Sequence, residues 1–514
     1  MRKEYPRLDA KSYVSLYKEF LTTVTLEDLN NLLNDRFIHE KIFSSNILMI
    51  GDFSDKEDPS FVRQAKEIIA NGLKTDVICK KAEALKFAYK SSSPKTPAEF
   101  NLVENEGFNY HTVEFKNGVK AHLKKNIDPR MPKKIMIKTK MSHGKWEYDS
   151  KDNAIIALGS SSLILGGTGK HPLNQVQSLL AGKDVSFSFT MNNDESYFAG
   201  QSSPEDFLHY LEWNRAYIDD PAFGNQSIDR QKYNYIQKLE SRKNTYLEPL
   251  LNDYFKALYD DDQRFASLTE NQINSAEEKD IKAWMKEKLL NRCPEFTIVG
   301  EIETEQAVQQ LYQAFGDLKC KTIPAKEKIE SQKLSLKPGV HKKYKIDSKD
   351  PQALVAFYWP TYGELKKNSI LVSTLQNIIE DRARNLLREE LSLAYTPQVE
   401  IFEAEYPWKN DYLYVGITTD PSQIETVLKL TPNIVKSFEV KPISEVELDR
   451  ARAPVIEGLN LLKTSTMFWF NVIPVKESGF DSVEDAIQYL HSQSHKKANS
   501  IIKEMFKPEC SLRS

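Results

Sequence analysis

Hydrophobic positions along this chain fall into two rhythms that alternate in blocks. One marks every second residue, as on a half-buried strand; the other marks every third or fourth, as on a packed helix. Residues 111–123 carry the first rhythm on both sides of Asn117-Gly118. That pair tolerates the positive φ of a tight hairpin, so two strands and a turn are predicted. Strands are predicted again over 134–141, 184–190 and 196–201, the last two as antiparallel neighbours. Between them, 153–165 is apolar and helix-like up to Gly166, Gly167 and Gly169. Ser203-Pro204-Glu205-Asp206 offers an N-cap, a first-turn proline and an acid at the capping-box position. The helix it opens turns Phe207, Leu208, Leu211 and Ala216 inward. Helical stretches over 228–259 and 276–290 follow, and 296–301 closes the block as a strand.

A second block repeats the plan. Residues 353–359 and 412–417 alternate as strands, and 371–390 is a long amphipathic helix. Its buried stripe is Leu375, Ile378, Ile379, Ala383, Leu386 and Leu387. Thr419-Asp420-Pro421-Ser422 opens a further helix, and 446–462 predicts another. The order strand, strand, helix, strand, strand, helix, helix thus occurs twice. It predicts an α+β fold of repeated domains, each a largely antiparallel sheet packed by helices, without the βαβ rhythm of a doubly wound domain. Residues 1–75 hold too little to bury a core alone. They offer a helix capped by Thr25 and Asp28, a strand over 47–50 and a helix around 61–70. The strand ends Met49-Ile50-Gly51-Asp52 and Ile298-Val299-Gly300-Glu301 echo one another and hint at a repeated unit.

With 514 residues the chain is too long for one core, and its 40% hydrophobic and 28% charged residues are those of a soluble globular protein. Charges of both signs are mixed to a formal net of −3, which excludes a polybasic nucleic-acid surface. No apolar run approaches the roughly 20 residues needed to span a bilayer, and the opening residues lack the apolar stretch of a signal peptide. The compartment is left open. Cys79, Cys293, Cys320 and Cys510 are too few and too scattered to suggest a disulfide framework or a thiolate zinc site.

No complete catalytic centre is legible. There is no H-E-x-x-H helix. His111 and Glu114 have H-x-x-E spacing but fall on a strand, where such positions face opposite ways, and Phe115 stands where a second histidine would follow. His143 and His171 read as single surface histidines, and His491 and His495 as part of an exposed C-terminal segment. The glycines from Gly166 lack a following Lys-Ser/Thr pair, and no G-x-S-x-G elbow is present. Arg388 and Tyr395, seven residues apart at a helix–strand corner, could hold a peptide backbone, or donate to an oxyanion developing beside a metal. The plainer reading makes them a surface arginine and a half-buried strand tyrosine.

The phrases VEFKNGVKAHL (113–123), GQSSPEDFLHYL (200–211), FTIVGEIETEQAVQQLYQAFG (296–316) and LLREELSLAY (386–395) resemble the pitrilysin family of zinc metallopeptidases, in the family's order. The resemblance implies two halves, each of two α+β domains, closing around a chamber for unfolded peptides. The N-terminal half would bear zinc on an H-x-x-E-H motif. By similarity, residues 1–85 are the remainder of a second domain, 109–320 a third and 335–514 a fourth, with linkers over 86–108 and 321–334. The zinc-bearing first domain would lie on the same polypeptide or a partner chain. In the third domain the motif's helix falls at 158–165, where LGSSSLIL offers no histidine or glutamate, so no cofactor is expected on this chain. Arg388 and Tyr395 match the arginine and tyrosine with which the family's last domain reaches the substrate. Ser392 stands where relatives usually have glycine. The expectation is a non-catalytic C-terminal part of a zinc endopeptidase, the alternative an inactive structural or assembly subunit of the same fold.

Overall fold

The computed structural model describes residues 9–33, 35, 67, 85–89, 99–324, 336–337, 340–347, 352–360, 369–391, 397–402, 412–473, 480 and 482–506. The chain divides into two compact units, Met1–Ala82 and Glu83–Ser514. In the first, α1 (Ala10–Thr23) starts where the Asp9 carboxylate accepts the Ser12 N–H at 2.8 Å. Tyr13, Leu16, Tyr17, Phe20 and Leu21 of this helix are all more than half exposed. In α2 (Leu26–Leu33) the expected capping box is formed. The Thr25 N–H donates to Asp28 at 2.8 Å and the Asp28 N–H to the Thr25 hydroxyl at 3.1 Å. The strand expected over 47–50 and the helix expected around 61–70 lie outside the described residues, apart from the helical Glu67.

The described residues of the second unit form two sheets. The larger comprises β1 (Phe100–Asn105), β2 (Tyr110–Phe115), β3 (Lys120–Lys125), β4 (Ile135–Ser142), β5 (Val185–Met191), β6 (Ser196–Ser202) and β7 (Glu295–Gly300). Their order is β1-β2-β3-β7-β4-β6-β5, antiparallel throughout except for β3 with β7. The hairpin at Asn117-Gly118 forms as expected, with Gly118 at φ +90° and the Phe115 N–H donating to Val119 at 2.9 Å. Alternate residues Val113, Phe115, Ala121, Leu123, Ile135, Ile137, Phe296 and Ile298 line one face. They share a core with α3 (Asn153–Ser162), α4 (Leu173–Leu180), α5 (Phe207–Asp219), α6 (Asn225–Arg242), α7 (Glu278–Trp284) and α8 (Thr304–Phe315). Each fully buried side chain of this kind contributes about 1.5–3 kcal/mol.

The smaller sheet orders β8 (Ala353–Pro360), β9 (Gln398–Phe402) and β10 (Tyr412–Thr419) as β8-β10-β9, all antiparallel. One face is covered by α9 (Ser369–Leu391), α10 (Ile424–Val440), α11 (Glu445–Leu462), and later α13 (Val483–Ser492) and α14 (His495–Met505). Between these, α12 (Thr466–Val472) crosses to the larger sheet, where Trp469 and Phe470 bury Tyr110 and Val299. The crossing is fixed by Asp128, whose carboxylate accepts the Thr466 N–H at 3.0 Å and pairs with Arg130 at 2.8 Å. Lys124 lies 4.2 Å from the Trp469 ring centroid, and burial pushes its pKa down to about 8.

Four sequence readings change. Cys293 and Cys320 are joined by a disulfide across 27 residues, where scattered thiols were expected. His143 and His171 are buried rather than on the surface: His143 Nε2 bonds Pro324 O at 3.0 Å, and His171 Nε2 accepts the Ala88 N–H at 3.0 Å. The helical stretch read over 228–259 breaks after Arg242, where Asn244 takes a φ of +60°. Phe100–Asn105, inside the segment read as linker, pairs with β2 along its length.

Candidate functional site

The first candidate is the C-terminal end of α9. Leu375, Ile378, Ile379, Ala383 and Leu387 are buried as the stripe predicts, while Leu386 is half-buried at its edge. The Gln376 amide donates to Val399 O at 3.0 Å, tying the helix to β9. Further along, Arg382 clamps three elements together. Its guanidinium pairs with both oxygens of Glu447 at 2.8 and 2.7 Å and donates to Lys441 O at 2.9 Å. It also lies 4.1 Å from the Phe438 ring centroid. Burial works against ionisation of Glu447, and Arg382 more than offsets it, so the carboxyl stays below its ordinary pKa. Arg384 adds bonds to Glu380 at 2.5 Å and Asp381 at 3.2 Å.

Arg388 follows Glu380 and Arg384 at four-residue steps in this anchored helix. Its side chain lies outside the described residues, as does Tyr395 entirely. The structure therefore fixes the helix that carries Arg388 and the strand that follows, and leaves the pairing of the two side chains as an expectation.

The second candidate is α3, where the resemblance puts the zinc motif's counterpart. Its residues do not fit a metal. Serines and aliphatic groups occupy the positions, and Ser161 spends its hydroxyl on Ala157 O at 2.9 Å. Gly159 is pressed onto the helix that starts as α7: a Cβ there would come within 2.9 Å of Met285 and 3.2 Å of Ile281. An imidazole has no room on that face. His111 and Glu114 do fall on opposite faces of β2, with His111 Nδ1 3.5 Å from the Thr304 hydroxyl and Glu114 exposed. Among the described residues no group of three or more His, Cys, Asp or Glu is placed to hold a metal ion.

Sequence reasoning missed an aromatic layer on the other face of the smaller sheet. Tyr358, Tyr412 and Tyr414 project from β8 and β10 toward Tyr254, Tyr259 and Phe265, with Tyr358 and Tyr414 centroids 5.0 Å apart. Burial drives the Tyr358 and Tyr412 phenols far above their ordinary range, so they are neutral hydrogen-bonding groups at any working pH. Phe402 is 43% exposed and stacks on Tyr412 at 4.6 Å, giving the layer an open rim. The period-two spacing of Tyr412 and Tyr414 was the available signal. Only the partner segment, far away in sequence, turns it into a surface.

Residues 275–455 match the family model of the peptidase M16 inactive domain. PqqL, a periplasmic protease from Escherichia coli, shares the fold at a TM-score of 0.66 and 17% identity, over 98% of this chain and 55% of its own. The ferredoxin protease FusC, solved with Arabidopsis ferredoxin, gives 0.65 and 11%, again over 98% and 55%. A peptidase M16 inactive domain from Pseudomonas fluorescens gives 0.60 and 14%, over 78% of this chain and 96% of that one. The chain thus spans about half the length of the first two. No curated protein matches it by sequence. Residues 275–455 are thus similar to the peptidase M16 inactive domain, and the chain shares its fold with those proteases.

Proposed function

We propose that this chain is the non-catalytic wall of a peptide chamber in a pitrilysin-type zinc metallopeptidase. It would work with a zinc-bearing half on the same polypeptide or on a partner chain. The observation that carries this reading is the match of residues 275–455 to an inactive peptidase domain. Coverage supports it, since 98% of this chain corresponds to only 55% of PqqL. The domain plan of 1–85, 109–320 and 335–514, with a linker over 321–334 and the strand Phe100–Asn105 added to the 109–320 domain, belongs to the same reading. PqqL and FusC are proteases by name, and an unfolded peptide is the substrate class proposed here. Among the described residues, no helix is long and apolar enough to cross a membrane.

Arg388 and Tyr395 are the residues we assign to the substrate. A guanidinium at the end of α9 would donate charge-assisted hydrogen bonds to a peptide carbonyl, and more strongly to the oxyanion that hydrolysis creates. The phenol of Tyr395 would share that task. Zinc in the other half would supply the activated water, and nothing on this chain replaces it. In the assembled enzyme, Arg388→Ala is expected to lower kcat/KM for an unfolded peptide roughly 100-fold without moving the unfolding midpoint. Unchanged kinetics would remove Arg388 from this role.

A second reading makes the chain a structural or assembly subunit of the same fold. The inactive-domain match and the closed, serine-bearing helix α3 support its structural part more directly than they support any catalytic contribution. That reading needs nothing from Arg388 or Tyr395, so the same substitution separates the two.

A further inference from the structure

Cys293 lies just ahead of β7 and Cys320 just beyond α8, with Cα atoms 4.8 Å apart and the sulfurs bonded. The backbone brings them together. The Cys293 N–H donates to Lys321 O at 2.8 Å, the Lys321 N–H donates to Asn291 O at 2.8 Å, and Arg292 bridges to Lys321. This ladder sets the Cα separation inside the range a disulfide requires, so the bond forms without moving the chain. The surroundings are equally fixed. Asn117 Nδ2 donates to Phe315 O at 2.8 Å and Leu318 O at 3.2 Å at the end of α8, and a Cβ on Gly118 would lie 3.2 Å from Cys293 Sγ. Cys293 is 5% exposed, and no further His, Cys, Asp or Glu among the described residues joins the pair into a metal site.

We infer that this chain matures and works in an oxidising compartment, with Cys293–Cys320 as a permanent structural cross-link. A buried thiol and a half-buried one, held at bonding distance by paired backbone, persist as thiols only where the surroundings keep them reduced. In forming the bond they give up two protons and two electrons. An external protein disulfide of the thiol–disulfide oxidoreductase class accepts them and leaves as a dithiol. The closed loop holds β7, α8 and the Asn117-Gly118 turn in register.

The test traps free thiols by alkylation in the native host before lysis, digests without reductant and maps the cysteine peptides by mass spectrometry. The expected result is one cross-linked pair containing Cys293 and Cys320, separated by reduction. Quantitative alkylation of both cysteines overturns the inference, and so does a cross-link from either to Cys79 or Cys510. As a second measurement, reductant should lower the unfolding midpoint of the parent by about 5–10 °C and leave that of Cys293→Ser/Cys320→Ser unmoved. An equal response of the two proteins to reductant would contradict a structural role for the bond.

Discussion

Glu295 opens β7 opposite Lys120 on β3 and Lys140 on β4, and its carboxylate lies 2.8 Å from His122 Nε2. A carboxylate can only accept, so His122 donates from Nε2, and its Nδ1 sits 3.0 Å from the Thr112 hydroxyl. Burial alone would raise the Glu295 pKa. The His122 hydrogen bond, with the charges of His122 and the two lysines, outweighs it and takes the pKa from 4.5 down to about 2. A depressed carboxylate pKa contributes stability that is fully present above 4.5 and lost as pH falls through about 2. Glu295→Gln should therefore cost about 1–2 kcal/mol at neutral pH, allowing for partial solvent screening. Urea unfolding across pH should show the gap to the parent narrowing below pH 4.5; a gap independent of pH would contradict the assignment. At this scale the sequence disclosed what is local. The Thr25–Asp28 box could be read because both partners sit within one turn, whereas His171 could not, because Phe87, Ala88 and Trp213 arrive from elsewhere in the chain.

Helix α9 shows the same division among elements. Its apolar stripe was legible, since a period near 3.6 is written into consecutive residues. The Arg382 clamp was not, because Phe438 and Glu447 come from α10 and the start of α11, and Lys441 from the turn between them. Arg382 and Glu447 side chains are 11% and 17% exposed, so removing one partner strands a largely buried charge. Arg382→Ala is expected to cost about 2–4 kcal/mol, while Arg450→Ala, whose pairing with Asp381 is exposed, should cost under about 0.5 kcal/mol. Chemical denaturation of both variants checks the contrast, and equal losses would show that the clamp contributes no more than a surface pair. Strand β1 escaped prediction for a related reason. β1 is mostly exposed, with Leu102 and Val103 open to solvent, so no inward–outward alternation marks it.

Across the whole molecule, the α+β class followed from two rhythms repeated in order, while the strand order did not. That β7 inserts between β3 and β4, parallel to one and antiparallel to the other, depends on long-range pairing that no local pattern encodes. The candidate site divides likewise. The corner at α9 was visible as sequence, but the aromatic layer around Tyr358 needed the fold to assemble it. The account predicts a protein that holds a peptide and lacks the metal to cut it. The direct measurement is hydrolysis of an unfolded peptide, with zinc supplied, by the 514-residue chain alone and again after addition of the H-x-x-E-H-bearing half. The predicted result is no turnover by the chain alone and chelator-sensitive turnover with the second half. Chelator-sensitive cleavage by this chain alone would contradict it.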